Sequence, residues 1–521
     1  MAIPNLTSLD LSPLQYTALF LALLTLYYTL TSLLAWHRLR HIPAYSPLST
    51  FSYLPLFLIA RSARQEEIYR ALNTSRLVRV GPNELLTDDP ALPHRPLRRI
   101  NAVRSDYGKD SWYFSSRFNP YQETMFTTLD RGEHDRMKAK TAAAYAGREV
   151  DLLEPSVDVQ VVSLVRLLRE RYAYDGGVSG GGDGGRGGRG KLVDMGVLPA
   201  YLTMDVITAA AFGKPFGHLE ADADVFGFIK QMRDNWPLIA ITLDTPWIRT
   251  IRFSKLFLRW LGPRTTDEIG LGQMMGIAEK YVGERFKSTS KPQKDMLGSW
   301  IKNGMTQQEC EAEGLFALVA GSDTTASVIR VTMLHLMCNP RIYHKFKAVI
   351  RDAVASGVST PITFDQASKI PFLRALIYEG IRIRAPATGL YPKTVPPQGD
   401  TVDGKFIPGG TAIGMNAPGL LKSPLLFGPD ADLFRPERFL EVDDDAARLG
   451  MERDVEMAFG YGRYMCAGKP VAFMELYKAF FELMRNFDFE LADPVRPWDS
   501  YSYNIFVEEN MWTKVTISEI K

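Results

Sequence analysis

The stretch FGYGRYMCAGKPVA, residues 459–472, decides how this sequence is interpreted. A cysteine, Cys466, stands in a loop with Gly460, Gly462 and Gly468, directly before an apolar run with helical spacing. Glycines allow a backbone to approach a ligand closely, and the N–H groups at the start of a following helix stabilise a thiolate. A lone cysteine is more often an inert buried residue than a ligand, so these local features alone leave both interpretations of Cys466 open.

The composition describes a large globular protein. The chain has 521 residues, of which 46% are apolar and 23% are charged, enough to bury a sizeable core. Sixty-one basic and 59 acidic side chains leave a net charge of +2, so the whole chain carries no field that would attract nucleic acid. Three cysteines favour a reducing compartment over a disulfide framework, and Cys310 and Cys338, which lack a comparable loop, are predicted to be structural.

Residues 14–36 are predicted to form a single transmembrane helix. They include 17 apolar residues and no charge, and a helix of this length crosses an apolar layer of about 30 Å. A cleaved signal peptide is the alternative, but the run is too long and lacks a basic start and a small-residue cleavage site. Basic residues follow the span, so the positive-inside rule predicts that residues 1–13 form a short lumenal N-terminus and that the rest is cytosolic.

Residues 61–521 are predicted to form one domain that is mainly α with small β-sheets. Residues 37–60 are expected to be a linker or interfacial segment, and the apolar run 51–60 is either interfacial or part of the core. Ten glycines within 176–190 predict a flexible surface insertion, because no phosphate-binding spacing is present. Asp403-Gly404 predicts a hairpin turn. Helical periodicity predicts helices over 150–171, 201–212, 307–338, 340–355, 370–384 and 469–486.

The full pattern F-x-x-G-R-x-x-C-x-G-x-x-x-A of residues 459–472 resembles the haem-binding signature of the cytochrome P450 monooxygenases. The resemblance implies the cytochrome P450 fold and a haem b whose iron is ligated by the thiolate of Cys466. It further implies that Arg463 pairs with a haem propionate and that Phe459 covers the sulfur. Gly468 would keep the loop close to the porphyrin.

The segment AGSDTT, residues 320–325, lies between two apolar runs with helical spacing. Gly, Ser, Asp and Thr are poor interior residues of helices, so the segment predicts a local distortion; a helix end at Gly321 is the alternative. In the family that the sequence resembles, this pattern lies on the helix that crosses the distal face of the haem. The resemblance implies that Asp323 and Thr324 relay protons while dioxygen is activated.

Glu379 and Arg382 form an E-x-x-R pair on one helix face, and Arg438 follows in the sequence PERF. Such a pair is usually solvated and contributes only a few tenths of a kcal/mol. The family resemblance implies instead that the three residues form a buried ion triad near the proximal side of the haem. Its role would be structural and not catalytic.

Two positions depart from the common family pattern. His134 and Lys138 lie one helical turn apart, where members commonly carry Trp or His and then Arg, and Lys393 stands where an arginine is common. The resemblance implies that these side chains bind the haem propionates, although lysine lacks the bidentate geometry of arginine. A solvated surface lysine is the alternative at each position.

The resemblance also suggests where a substrate and the membrane would make contact. The candidate substrate-facing residues are Phe316, Ala317, Ala320, Ala387, Thr388 and Gly389. Small residues among them would leave room above the iron for a bulky substrate, with plain packing as the alternative. An entrance loop that dips into the membrane interface is predicted from Trp236, Pro237, Pro246, Trp247, Ile248, Arg249 and Arg252.

YGKDSWY, residues 107–113, and DVITAAAFGKPFG, residues 205–217, resemble filamentous-fungal microsomal members, near pisatin demethylase and the trichothecene-pathway oxygenases. The resemblance implies hydroxylation or epoxidation of a hydrophobic secondary metabolite at the endoplasmic reticulum membrane. Electrons would come from a separate NADPH-cytochrome P450 reductase, with cytochrome b5 as a further candidate donor, docking near Arg435, Lys469 and Lys478. Two alternatives are desaturation, rearrangement or coupling at the same centre, and a haem-binding sensor or electron-transfer protein.

Overall fold

The computed structural model describes residues 12–520 apart from 73–75, 90–95, 152, 175–190, 288–290 and 443. The predicted glycine-rich insertion and nearly all of the predicted lumenal segment lie outside the described residues.

Helices dominate the described part of the chain. The α-helices are α1 (Pro13–Leu39), α2 (Leu54–Arg61), α3 (Gln65–Ala71), α4 (Pro96–Ile100), α5 (Ser111–Phe114), α6 (Arg131–Tyr145), α7 (Leu153–Arg171), α8 (Leu198–Phe212), α9 (His218–Ala221), α10 (Phe228–Asp244), α11 (Pro246–Arg252), α12 (Lys255–Leu261), α13 (Gly270–Phe286), α14 (Met296–Lys302), α15 (Gln307–Met337), α16 (Pro340–Ala355), α17 (Phe364–Ser368), α18 (Pro371–Ile383), α19 (Ala417–Leu421), α20 (Pro424–Phe427), α21 (Asp445–Val455) and α22 (Lys469–Asn486). Short 3₁₀ helices cover Pro47–Thr50, Val225–Gly227, Pro436–Phe439, Glu456–Phe459 and Gly462–Tyr464. The six predicted helices correspond to α7, α8, α15, α16, α18 and α22, with ends that differ by at most three residues.

The strands form small sheets at the edges of the helical body. They are β1 (Leu77–Arg79), β2 (Glu84–Thr87), β3 (Gly108–Lys109), β4 (Val193–Asp194), β5 (Lys393–Thr394), β6 (Asp400–Val402), β7 (Lys405–Ile407), β8 (Ala412–Met415), β9 (Phe487–Leu491), β10 (Asp499–Ser502), β11 (Phe506–Glu509) and β12 (Trp512–Ile517). One mixed sheet has the order β1-β2-β8-β5-β3, in which β2 and β8 are parallel, and a second has the order β4-β12-β9. β6–β7 and β10–β11 are hairpins. Asp403 and Gly404 form the β6–β7 turn with φ of 50° and 72°, as a tight hairpin turn requires.

Helix α15 passes through the centre of the protein and packs against α8, α13, α18 and α22. A capping box at Thr306 and Glu309 starts it. One apolar cluster joins its C-terminal half to α7, α16, α18 and α22, and a second joins its N-terminal half to α10, α13 and α14. The expected distortion at residues 320–325 does not interrupt the helix, which is continuous from Gln307 to Met337.

The apolar helix α1 is exposed over most of its length and is long enough to cross a membrane, yet its C-terminal end is packed into the domain. Leu39 and Ile42 are buried against Leu77 and Leu85 of the first sheet. Arg79 is completely buried and donates hydrogen bonds to carbonyl groups on both sides of this junction; the acceptors are Ala35 (3.0 Å), Thr50 (3.0 Å), Gly81 (3.1 Å) and Pro82 (2.7 Å). The segment predicted as a linker is therefore partly an element of the domain.

Helix α2 contains most of the apolar run 51–60, which was predicted to be either interfacial or part of the core. Leu56 and Ile59 are buried in the core, whereas Leu54 and Leu58 are 47% and 52% exposed. One face of the helix is thus core, and the other is an apolar surface.

Candidate functional site

A cavity of about 340 Å³ lies between the middle of α15, helix α6 and the loop that carries Cys466. The structure brings most of the predicted site residues to its wall: His134, Lys138, Phe316, Ala317, Ala320, Asp323, Thr324, Ala387, Lys393, Phe459, Cys466 and Gly468. Thr388 lies behind the wall, where its backbone N–H donates to the carbonyl of Asn504 at 2.8 Å and its hydroxyl donates to Gln65. Arg463 is not in the wall either.

The loop is held in shape by its own backbone. The N–H of Cys466 donates to the carbonyl of Phe459 at 2.7 Å. Gly462 has a φ of +62°, and a Cβ there would lie 2.2 Å from the carbonyl oxygen of Asn101, so only glycine fits. Desolvation raises the pKa of the Cys466 thiol, while the backbone N–H groups of Gly468 and Lys469 act in the opposite direction. Cys466 is exposed in the structure and lines the cavity.

Two consecutive residues of this loop point in opposite directions. The guanidinium of Arg463 turns outward, pairs with Asp135 and donates to the carbonyl of Val103 at 2.9 Å. The ring of Tyr464 lines the cavity instead and packs edge-on against His134, with 4.8 Å between ring centroids. The structure therefore does not bring Arg463 to the place that the resemblance implied for it.

Two lysines face each other on one side of the cavity. Lys109 of β3 and Lys393 of β5 are direct partners in the antiparallel register, and both line the cavity. The ammonium group of Lys109 donates to the carbonyls of Met125 and Phe126, both at 2.8 Å, and that of Lys393 donates to the hydroxyl of Tyr113 at 2.5 Å. Burial lowers the pKa of each lysine to about 7. Sequence reasoning missed Lys109, because its partner lies 284 residues further along the chain.

Helix α6 adds two more nitrogen-containing side chains. Lys138 donates to the carbonyl of Arg463 at 2.5 Å, which ties α6 to the cysteine loop. His134 is 4% exposed, and its Nδ1 lies 3.0 Å from Asp135 Oδ1. Burial and the neighbouring Lys109 lower the pKa of His134 to about 4, so its ring is neutral.

These residues fit the haem that the sequence implies. Like charges placed directly opposite each other on a sheet destabilise it, and within the described part of the chain the ammonium groups of Lys109 and Lys393 donate to carbonyl groups and to the hydroxyl of Tyr113, not to a carboxylate. A ligand with two carboxylates would compensate both ammonium groups. The thiol of Cys466, in the same cavity, is the residue type that binds haem iron as a thiolate.

Helix α15 presents an acid and an alcohol to the cavity. The hydroxyl of Thr324 donates to the carbonyl of Ala320 at 2.8 Å. The indole N–H of Trp236 points at Asp323 Oδ2 from 3.5 Å. Desolvation raises the pKa of Asp323, and the cationic Arg330 only partly opposes it. The cavity wall thus contains a carboxyl group that holds a proton more readily than one in water.

The predicted entrance loop divides between the interior and the surface. Trp236 lies within α10 and is 7% exposed, so it is part of the cavity wall. Arg249 is 7% exposed and donates to the hydroxyl of Ser111 at 2.9 Å, and Arg252 donates to Thr242. Trp247, which was predicted, is exposed, and the exposed apolar surface extends over α11 and α12 through Ile251, Leu256, Trp260 and Leu261.

The predicted ion triad is assembled in the structure. Arg382 binds both carboxylate oxygens of Glu379, at 2.7 and 2.8 Å, and Arg438 binds the same two at 3.1 and 3.2 Å. Each of the three side chains is 2% exposed or less. Both guanidinium groups also donate to carbonyls of the segment 421–433, and Asp430 binds Arg438 at 3.0 Å. The cluster has no net charge and fastens α18 to the chain that precedes the cysteine loop.

The predicted docking residues do not form one exposed basic patch. Lys478 is fully buried and binds Glu154 and Asp158 at 2.7 and 2.6 Å, so its assignment to a docking surface is wrong. Arg435 pairs with Asp430 and Glu441, and Lys469 pairs with Glu456 at 2.7 Å.

The two remaining cysteines lie away from the cavity wall. Cys310 is buried in α15, and burial raises its pKa to about 12. Cys338 ends α15 as its C-terminal cap residue.

Comparison with known proteins agrees with this geometry. Residues 177–515 match the family model described as Cytochrome P450. The chain is 49% identical to the cytochrome P450 monooxygenase aba1 of Botryotinia fuckeliana (strain B05.10), over 92% of each protein. It is 43% identical to the cytochrome P450 monooxygenase abl1 of Leptosphaeria maculans, over 91% of this chain and 84% of the relative. It is 41% identical to the cytochrome P450 monooxygenase ABA1 of Pyricularia oryzae (strain 70-15), over 95% and 96%.

Proposed function

Because the chain belongs to the cytochrome P450 family and is a haem-thiolate monooxygenase, we propose that it hydroxylates or epoxidises a hydrophobic secondary metabolite of the terpenoid, polyketide or alkaloid class. The observation that carries this proposal is the shared cavity, in which the thiol of Cys466 and the Asp323–Thr324 pair line one space. Aromatic and aliphatic side chains form most of the remaining wall, which suits an apolar substrate.

When bound, the haem supplies the centre at which dioxygen is activated, with Cys466 as its thiolate ligand. Asp323 and Thr324 are proposed to supply protons to the reaction. Asp323 can hold a proton because burial raises the pKa of its carboxyl group, and the indole of Trp236 fixes that group at the cavity wall. The hydroxyl of Thr324 donates to Ala320, and its lone pairs remain free to accept a hydrogen bond from the cavity.

Lys109, Lys138 and Lys393 are proposed to bind the two haem propionates. All three line the cavity, and a bound carboxylate would offset the repulsion between the ammonium groups of Lys109 and Lys393. Arg463 is proposed to have a structural role outside the cavity. Its pairing with Asp135 and the hydrogen bond from Lys138 to its carbonyl group connect α6 to the cysteine loop.

The enzyme is proposed to be anchored by α1 in the endoplasmic reticulum membrane and to receive electrons from NADPH-cytochrome P450 reductase. The apolar helix near the N-terminus and the basic residues that follow it support this orientation. The exposed apolar side chains of α11 and α12 supply a second surface that would rest on lipid.

The reduced, carbon-monoxide-bound spectrum tests the centre itself. The wild type should show the strongly red-shifted Soret band of thiolate-ligated haem, and Cys466→Ala should not. Incorporation of labelled dioxygen into product then separates oxygen insertion from desaturation, rearrangement or coupling, because only insertion transfers label from dioxygen to the organic product.

A further inference from the structure

His218, the first residue of α9, is completely buried between two aspartates. Its Nδ1 lies 3.1 Å from Asp205 Oδ1, and its Nε2 lies 3.7 Å from Asp224 Oδ1. The rings of Tyr201 and Phe216 lie 5.8 and 6.3 Å from the imidazole between centroids. An imidazole between two carboxylates can donate to both of them only when it carries two protons.

Each of the two aspartates holds the start of a helix. Asp205 accepts hydrogen bonds from the backbone N–H groups of residues 217–219, at 2.8, 3.0 and 2.9 Å, and so fixes α9 to α8. Asp224 accepts from the backbone N–H groups of Ile229 and Lys230, at 3.1 and 2.8 Å, in the first turn of α10. His218 therefore lies between the carboxylate that fixes α9 and the carboxylate that fixes the N-terminal end of α10.

The proton on Nδ1 of His218 follows from these contacts. The carboxylate of Asp205 only accepts hydrogen bonds, so Nδ1 is the donor. In the neutral ring Nε2 then has no proton, and its lone pair faces the carboxylate of Asp224; in the charged ring Nε2 carries a proton and attracts that carboxylate. Burial lowers the pKa of His218, but the hydrogen bonds and negative charges of Asp205 and Asp224 outweigh it, so the pKa lies above its ordinary value.

Other titratable side chains of the surrounding elements include Arg171 and Tyr172 on α7, Tyr201 on α8, Glu220 and Asp222 at α9, and Lys230 on α10. Arg171 and Tyr172 bind Asp222, at 3.3 and 2.8 Å. Burial raises the pKa of Tyr172 and of Tyr201 to about 12. Among these groups, His218 is the one whose charge changes near neutral pH.

The chain from α8 to α10 is bent at several points. The residues with a φ in the left-handed region, between 52° and 91°, are Gly213, Gly217, Asp222, Phe226 and Gly227. An aromatic residue is strained in this conformation, so the bend at Phe226 has to be held by the contacts around it. The hydrogen bonds from the first turn of α10 to Asp224 span this bend.

Helix α10 forms part of the cavity wall through Trp236, Ile239 and Leu243. The indole N–H of Trp236 points at Asp323 Oδ2. Movement of the N-terminal end of α10 would therefore change both the room in the cavity and the surroundings of this acid.

We propose that His218 is a positioning residue whose protonation controls the placement of α10. With two protons, its ring joins Asp205 to Asp224 and keeps α10 against the cavity. With one proton, it repels Asp224, and the N-terminal end of α10 is free to move away. The enzyme would then exchange molecules in its cavity faster as the pH rises. The proposal rests on the proposed function, because α10 encloses the substrate cavity.

The test is hydrogen–deuterium exchange of the haem-loaded full chain at about pH 6.5 and about pH 8.5, in a peptide that covers residues 228–236. Labelling times are scaled to remove the intrinsic effect of pH on exchange. In the wild type the corrected exchange should be about tenfold faster at the higher pH, because His218 loses its second proton. In His218→Gln, which does not titrate, and in Asp224→Asn, which still accepts the backbone N–H groups, the corrected rates at the two pH values should be equal.

His344→Gln is the matched control, because His344 is an exposed histidine on α16. It should keep the pH dependence of the wild type. A second measurement is the rate at which carbon monoxide displaces clotrimazole, a bulky azole that ligates haem iron, from the reduced enzyme. The wild type should release the azole about fivefold faster at the higher pH, and His218→Gln should release it at one rate.

The proposal is overturned if the corrected exchange of the wild type is equal at both pH values or slower at the higher one, or if either His218→Gln or Asp224→Asn keeps the wild-type difference. Azole release that stays constant while the exchange changes would refute the link between α10 and the cavity. The carbon-monoxide spectrum of each variant reports the thiolate-ligated haem separately, so failure of this proposal is distinguishable from failure of the proposed function.

Discussion

Lys109 and Lys393 stand directly opposite each other across the β3–β5 pair, and both extend into the cavity in which Cys466 lies. Two ammonium groups in this arrangement are unfavourable unless a ligand brings negative charge. Retention of the cofactor should therefore depend on lysines that are far apart in the sequence.

Replacing Lys393 with methionine should accelerate haem loss about tenfold, because one buried charge-assisted contact is removed while the apolar stem is kept. The measurement is the rate at which the purified holoenzyme transfers haem to excess apomyoglobin. Lys369→Met, which removes an exposed lysine paired with Asp365, is the control and should not change the rate. Equal rates for Lys393→Met and the wild type would contradict the assignment.

Haem should be retained less well as the pH rises from about 7 to 9. Burial lowers the pKa of Lys109 and Lys393 to about 7 without an anion, and two bound carboxylates would raise both again. The bound state then holds more protons than the free state above pH 7, so binding weakens as protons become scarce. The rate of haem transfer to apomyoglobin, measured at several pH values, tests whether haem retention falls as the pH rises. A rate that falls with rising pH would rule out these lysines as the controlling groups.

Arg463→Gln should retain haem and the red-shifted carbon-monoxide spectrum, because the guanidinium pairs with Asp135 outside the cavity. A modest fall in unfolding temperature is expected, since a contact between α6 and the cysteine loop is lost. Haem content per polypeptide and thermal unfolding measure the two effects. If Arg463→Gln purified without haem, the side chain would have to turn inward when the cofactor binds.

Arg382→Ala should abolish haem incorporation. The substitution leaves Glu379 with one guanidinium partner in a fully buried site, and breaking a buried pair costs about 3–5 kcal/mol. Expression yield and the carbon-monoxide spectrum are the measurements. Arg341→Ala, which removes a guanidinium that is 63% exposed, is the matched control and should cost at most about 1 kcal/mol. A folded, haem-loaded Arg382→Ala protein would refute the structural role of the triad.

Asp323→Asn should slow turnover at least about tenfold while substrate binding stays within twofold, because a group that carries a proton is lost and the shape of the cavity is kept. Thr324→Ala should divert reducing equivalents from product to peroxide. The ratio of product formed to NADPH consumed, with a reductase supplied, measures both effects. Unchanged coupling in both variants would show that protons reach the site by another route.

A chain that lacks residues 1–36 should still bind lipid vesicles through α11 and α12. Trp260→Ser in this truncated chain should weaken binding about tenfold, because the indole is 70% exposed and would be buried in lipid. Co-sedimentation with vesicles measures it. Leu433→Ser, at a similarly exposed apolar side chain near the ion triad, should have no effect. Loss of all binding on truncation would assign membrane attachment to α1 alone.

Much of the architecture follows from local pattern. Apolar periodicity was enough to predict α22 and α16 to within one residue at each end, and the Asp403-Gly404 turn was visible as a dipeptide. The direction in which individual side chains point could not be predicted from such patterns. Arg463 and Tyr464 are neighbours in a loop. A loop has no repeating apolar pattern from which to predict which of the two side chains lines the cavity. Lys478 lies in a helix that is buried on nearly all sides, and its partners Glu154 and Asp158 lie more than 300 residues earlier in the chain.

The hydrogen bonds from Arg79 to the carbonyls of Ala35 and Thr50 attach the C-terminal end of α1 to the domain. The charge-free part of α1, residues 14–36, is about 35 Å long, slightly more than an apolar layer of about 30 Å. Such hydrophobic mismatch is relieved by tilting the helix. With α1 in a bilayer, as proposed, its tilt would be transmitted to the domain through the Arg79 contacts, and the thickness of the bilayer would influence the angle between the domain and the lipid surface.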